Sequence, residues 1–224
     1  MWPDAIKVVY VLCHPEKEKA RYEKLIPHLK EVGIPAENIR VSAPTWGSQL
    51  TADEIFKAYD PYLKRPVPSF TFKAACLSRG EISLCMNFLE AARLAVGPAI
   101  ILESDVRLRP DFMDRLKDVM ASLPADWDYV SLGEGCNTRP ANGSYFGPTR
   151  LYKPPHKWVF RCTDSMLLSE RFLKAVTKTM VPFKECLDWE LNWQLMLHGG
   201  VALWADPPLA EQGTWNGREE TSLP

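Results

Sequence analysis

The stretch Gly97-Pro98-Ala99-Ile100-Ile101-Leu102-Glu103-Ser104-Asp105-Val106 decides how this chain reads. A short apolar run bounded by turn residues marks a buried strand. This one ends abruptly in two carboxylates at i and i+2. In an extended segment such side chains leave on the same side. Glu103 and Asp105 are therefore expected to converge at the strand's carboxyl end, where open α/β sheets place their ligands. Two hard oxygen donors there suit Mg²⁺ or Mn²⁺, above all a cation that also grips a diphosphate. The plainer alternative for the pair is a helix cap or a solvated strand end.

Working outward, the chain alternates strand and helix signals. Ile6 to Cys13 is rich in Val and Ile and suits a first strand. Lys17 to Val32 carries Leu25, Leu29 and Val32 at helical spacing, with Pro27 inside and Gly33 closing it. Asn38 to Val41 is a short second strand. Thr51-Ala52-Asp53-Glu54 and Ser78-Arg79-Gly80-Glu81 both have capping-box spacing. The second opens a helix with Ile82, Cys85, Met86, Leu89, Ala92 and Val96 on one face. After the Glu103/Asp105 strand, Pro110 and Asp111 start a helix with Phe112, Leu116, Val119 and Leu123 inward. Asp128 to Leu132 reads as a strand, residues 135–155 as loop, and Lys157 to Arg161 as a strand. Ser169 to Lys178 and Glu185 to His198 read as helices, and Val201 to Trp204 as a last strand. Such alternation predicts an α/β fold, a mostly parallel sheet with helices on both faces. With no repeat or linker, residues 1–224 are expected to form one domain.

Composition narrows the partners. Hydrophobic residues at 46% suffice for a core, and a net charge of -1 supplies no global attraction to nucleic acid or anionic membranes. Phosphate recognition must then be local. The six cysteines lack CxxC spacing, which argues against structural zinc and favours reduced core thiols. Neither a secretory signal nor a membrane span is present in the sequence as it stands, so the expected location is cytoplasmic.

Several further residues could carry chemistry. Cys13-His14-Pro15 ends the first strand, where it could touch a nucleotide base or merely turn into a helix. No glycine precedes Gly33, which counts against a dinucleotide fingerprint, a P-loop and the glycine-rich loop of nucleotidyltransferases. Lys73 and Arg79 could reach a diphosphate or stay solvated. Asp188 and Glu190 lie two apart on a helix, about 200° around it, so only one can face a site. For Asp188 the alternatives are a helix N-cap or a general base acting on an acceptor hydroxyl. Trp189 and Trp193, at i and i+4, form either core or a platform for a sugar ring.

In order along the chain, Gly80-Glu81-Ile82, Ile101-Leu102-Glu103-Ser104-Asp105-Val106, Trp127-Asp128 through Leu132-Gly133, and Asp188 through Pro207, Pro208 and Gln212 resemble the motifs of glycosyltransferase family 25, the lipopolysaccharide-type and collagen-type sugar transferases. Val8 to Leu12 with Arg21 resembles that family's opening strand and its downstream arginine. The family's central aspartate is Ser104 here, and its Ser-His after the helix start is Asn87-Phe88. The resemblance implies a GT-A fold, a nucleotide-diphosphate sugar donor such as UDP-glucose or UDP-galactose, Mn²⁺ or Mg²⁺ at Glu103 and Asp105, and inverting transfer to a glycan or glycoprotein hydroxyl. It also implies that Val11, Leu12, Cys13 and His14 line the base pocket, with Arg79 or Lys73 near the phosphates and Ser104 among the donor-binding residues. Asp188 is the implied base, with Glu190 in reserve. The alternative is a GT-A-like domain that binds sugar, nucleotide or protein without turnover.

Overall fold

The structure, a computed structural model, describes residues 2–65, 76–133, 151–154 and 162–214, and the backbone of 144–145. In chain order the elements are β1 (Val8–Leu12), α1 (Lys19–Glu31), β2 (Ile39–Val41), α2 (Ala52–Ala58), α3 (Arg79–Leu94), β3 (Ala99–Glu103), β4 (Val106–Leu108), α4 (Phe112–Ser122), β5 (Trp127–Ser131), β6 (Ser144–Tyr145), β7 (Leu151–Lys153), β8 (Ser165–Leu168), α5 (Glu170–Thr179), α6 (Leu187–Leu197), β9 (Val201–Ala205) and β10 (Ala210–Gln212).

Eight strands form one sheet in the order β2-β1-β3-β8-β5-β9-β7-β6. The pairings β1–β2, β1–β3 and β5–β9 are parallel, and the other four are antiparallel. Only β8 and β7 run against the rest, so the sheet is mostly parallel in direction, as expected. The reversed β8 sits at its centre, between β3 and β5, and the sequence reading passed over it. Its four residues Ser165–Leu168 are all buried, too few and too uniform to show a period. β4 and β10 were passed over as well; they pair antiparallel as a separate ribbon, Gln212 opposite Val106.

Strand alternation divides the core between the two faces. On one, Tyr10, Leu12, Ile101, Tyr129, Met166 and Trp204 pack against α3, α5 and α6 through Cys85, Phe88, Leu89, Phe172, Val176, Leu187 and Leu191. On the other, Val9, Val11, Ile100, Leu102, Val130 and Leu203 pack against α1 and α4 through Leu25, Leu29, Phe112, Leu116 and Val119. Helices thus cover both faces.

Local signals set the helix ends. Thr51 and Ser78 each cap a helix, with Glu54 and Glu81 returning to the cap backbone, so both boxes form as read. α1 ends where Gly33, at φ +97°, lets its N–H reach the Lys30 carbonyl and Ile34 N–H reach that of Leu29. α3 stops at Leu94, which leaves Val96 75% exposed rather than on the inner face. The strand expected at Lys157 to Arg161 lies outside the described residues.

The thiols are not all reduced. Cys162 is disulfide-bonded, which corrects the expectation, while Cys13 and Cys85 are buried and form no disulfide. Burial pushes the Cys85 thiol well above its usual range, so it is inert. Among the described residues no helix is long and apolar enough to cross a membrane.

Candidate functional site

The register of β1 on β3 sets Leu12 beside Glu103 at their carboxyl ends. A cleft of about 310 Å³ opens there. Leu12, His14, Trp46 and Leu84 give part of its wall an apolar and aromatic surface. Glu18, Arg21, Glu103, Ser104, Asp105 and Thr214 make the rest ionic and polar. His14 and Trp46 meet edge to face, ring centroids 5.7 Å apart.

The carboxylate pair converges by a route other than the one expected. β3 ends at Glu103, and Ser104 and Asp105 form a turn into β4. The two acids therefore approach the cleft through the turn and not along one strand. Among the described residues neither Glu103 nor Asp105 forms an ion pair with Lys or Arg. Thr163 Oγ1 donates to Glu103 Oε1, and Thr214 Oγ1 to Asp105 Oδ2. Burial, and then the charge of Asp105, raise the Glu103 carboxyl to about 8, with Asp164 and Asp188 adding to the rise. The two acids thus crowd one another, and Arg21 in the same cleft pairs with Glu18 instead.

Ser104 lies between the two acids, at the β3–β4 turn. Its Oγ accepts from Arg21 Nη1 at 2.9 Å and donates to Glu18 Oε1 at 2.6 Å. Glu18 Oε2 in turn accepts from the backbone N–H of His14 at 2.8 Å. This network ties the start of α1 to the β3–β4 turn and leaves Arg21 as the arginine lining the cleft.

The cleft's walls are pinned. Asn87 Oδ1 accepts from Thr45 N and Oγ1 at 2.9 and 2.8 Å, and Asn87 Nδ2 donates to the Thr45 carbonyl at 3.1 Å. Gly47 packs so closely on α3 that a Cβ there would lie 2.8 Å from backbone atoms of Arg79 and Gly80. From the far end of the chain, Gly213 N donates to the Asp105 carbonyl at 2.8 Å, drawing residues 210–214 over the turn.

Of the four residues expected around a base, Leu12 and His14 line the cleft. Val11 and Cys13 point into the opposite core, as strand alternation requires. Arg79 does not enter the cleft lining; its Nη1 donates to the Leu50 carbonyl at 2.9 Å. Lys73 lies outside the described residues. Asp188 is the second residue of α6, whose N-cap is Cys186, so the capping alternative does not hold. Its Oδ1 accepts from Trp189 N at 2.8 Å and from the Cys186 thiol at 3.1 Å. Its charge is felt at Glu103, yet it is absent from the cleft lining.

Glu190 is corrected as a reserve base. It is 1% exposed, ion-paired with Arg65, whose side chain is also buried, and accepts from the backbone N–H groups of Lys184 and Glu185 at 3.1 and 3.2 Å. Trp193 carries the Arg65 guanidinium 4.8 Å above its ring, so it belongs to this buried cluster and not to a sugar platform. Asp128 likewise serves the frame. Asp128 receives Ser169 Oγ, Arg171 Nε and Nη2, and Val201 N, clamping β5, α5 and β9 together.

Sequence reasoning missed Trp46, Thr163, Asp164 and Thr214 at or beside the site, and it assigned Arg21 no role. None sits in a spaced motif. Alternation along β1 would have separated Leu12 and His14 from Val11 and Cys13.

The residues present fit a divalent cation in a limited way. Among the described residues no cluster of three or more His, Cys, Asp or Glu could hold a metal. Two carboxyl groups lining one cleft nevertheless match the habit of Mg²⁺ and Mn²⁺, which leave most positions to water and ligand phosphates. No family model matches the chain, and no curated protein does.

Proposed function

We propose that this chain is a metal-dependent inverting glycosyltransferase of the GT-A type, similar to family 25. Its donor is a nucleotide-diphosphate sugar, a UDP-hexose by that likeness, and its acceptor a hydroxyl of a glycan or glycoprotein. The observation that carries this reading is the composition of the cleft. Aromatic and apolar residues suited to a nucleoside share one cavity with a carboxylate pair and an arginine suited to a diphosphate.

In this reading His14 and Trp46 pack the base, and Arg21 meets a phosphate oxygen. Glu103 and Asp105 would hold Mn²⁺ or Mg²⁺, which when bound neutralises charge developing on the departing diphosphate. Asp188 takes the proton of the acceptor hydroxyl as its oxygen attacks the anomeric carbon. A disulfide at Cys162 fits an oxidising compartment better than the cytoplasm.

The absence of Asp188 from the cleft lining favours a second reading, binding of a nucleotide sugar without turnover. One experiment separates the two. Panels of UDP-, GDP- and CMP-sugars are tested with and without Mn²⁺ for thermal stabilisation and for nucleotide release. Mn²⁺-dependent stabilisation with release, lost about 10²-fold in Asp188→Asn, supports the enzyme. Stabilisation without release supports the binding domain. Stabilisation by none of the sugars refutes both.

A further inference from the structure

Each acid at the end of β3 has one oxygen taken by a threonine from a distant part of the chain. Thr163, in the segment leading into β8, gives its hydroxyl to Glu103 Oε1. Thr214, just beyond β10, gives its hydroxyl to Asp105 Oδ2 at 2.5 Å, backed by its own N–H at 3.3 Å. The other oxygens, Glu103 Oε2 and Asp105 Oδ1, accept no hydrogen bond among the described residues.

Both threonines stand on fixed backbone. Glu103 N donates to the Asp164 carbonyl at 2.9 Å, locking Thr163's neighbour to β3. Cys162, on its other side, is disulfide-bonded. Thr214 follows a ribbon in which β10 is paired to β4, and Gly213 N holds the Asp105 carbonyl. A hydroxyl that engages one carboxylate oxygen restricts rotation of the group and leaves the second oxygen free to ligate. Partners of this kind orient metal-binding carboxylates and govern their affinity.

We propose that Thr163 and Thr214 are positioning residues that orient Glu103 and Asp105 toward one divalent cation. The inference rests on the reading of those two acids as a cation site. It assigns a function to the C-terminal ribbon: carrying Thr214 to the β3–β4 turn.

The test is Mn²⁺ alone, titrated into the intact chain and read by electron paramagnetic resonance of the free ion. Thr163→Val and Thr214→Val keep the shape and remove the hydroxyl; each should weaken Mn²⁺ binding about 10- to 100-fold. Thr163→Ser and Thr214→Ser restore the donor and should return affinity to within about 3-fold of the starting protein, a rescue that a packing role alone would not produce. Thr163 is 4% exposed, and if its valine variant does not fold, the half-buried Thr214 decides the matter. Undiminished affinity in Thr214→Val overturns the proposal. Asp105→Ala is the control for the underlying reading. Loss of Mn²⁺ there with full binding in the valine variants rejects the threonines and leaves the cation site standing. Unchanged binding in Asp105→Ala rejects both.

Discussion

Replacing Glu103 by glutamine removes a titratable group from the cleft while preserving an oxygen that Thr163 can still donate to. In the metal-free protein the folded state holds the Glu103 proton up to a pKa of about 8, whereas the unfolded chain releases it near 4.5. Between those values the folded state binds more protons than the unfolded one, so stability falls as pH rises, and it is level outside that window. At pH 7 the difference spans roughly 2.5 pH units at 1.36 kcal/mol each, about 3 kcal/mol. Solvent reaches Glu103 through the cleft, which makes this figure an upper bound. Glu103→Gln should therefore match the parent protein at pH 4.5 and exceed it by up to about 3 kcal/mol at pH 7. Urea unfolding in a chelator at four pH values between 4.5 and 8 measures the gap. Groups common to both proteins cancel in the comparison. A gap that does not widen with pH refutes the argument that burial and Asp105 hold this carboxyl neutral.

Three other substitutions probe the frame around the cleft. Glu190→Gln should cost about 3 kcal/mol in urea unfolding, because it strands the buried Arg65 guanidinium; a cost under 0.5 kcal/mol contradicts the structural role given to this pair. Asp128→Ala should cost a similar amount, about 3 kcal/mol, by orphaning Val201 N–H and Ser169 Oγ; an unchanged melting temperature would remove the clamp from the account. Gly47→Ala presses a methyl onto the Arg79–Gly80 backbone, which cannot yield as a side chain can, so residues 43–50 must shift. A loss of about 1–3 kcal/mol is expected, with weaker nucleotide binding by calorimetry; undisturbed affinity shows that this loop does not shape the cleft.

How legible the chain was in advance depended on how local each cause is. Thr51, Ser78 and Gly33 act within one turn of chain, and the helix ends they mark were readable as written. The two-face core followed from the alternation of β1 and β3. β8 was not readable, since Ser165–Leu168 is a strand only because β3 and β5 supply its hydrogen bonds. The same distinction holds in the cleft. Glu103 and Asp105 stood out because an apolar run ended at them. Thr163 and Thr214 carry no local signature, and their roles arise from contacts spanning 60 and 109 positions. Glu190 and Trp193 looked available on a helix of mixed character, but Arg65 lies more than a hundred residues upstream and buries them.

The central place of β8 also bears on how the polypeptide emerges during synthesis. β3 and β5 are both translated before the strand that joins them. Until residues 165–168 leave the ribosome, each presents an unpaired edge, and the apolar side chains of Ile100, Ile101, Leu102, Tyr129 and Val130 lack their partners. Open edges of this kind invite intermolecular pairing. Nascent chains stalled before residue 165 should consequently be captured by chaperones, and those stalled well beyond 205, where β9 covers the other edge of β5, released. The segment that joins β3 to β5 is also the one that delivers Thr163 to Glu103, so bridging those two strands and fixing the first of the cleft's acids become a single event in the life of the polypeptide.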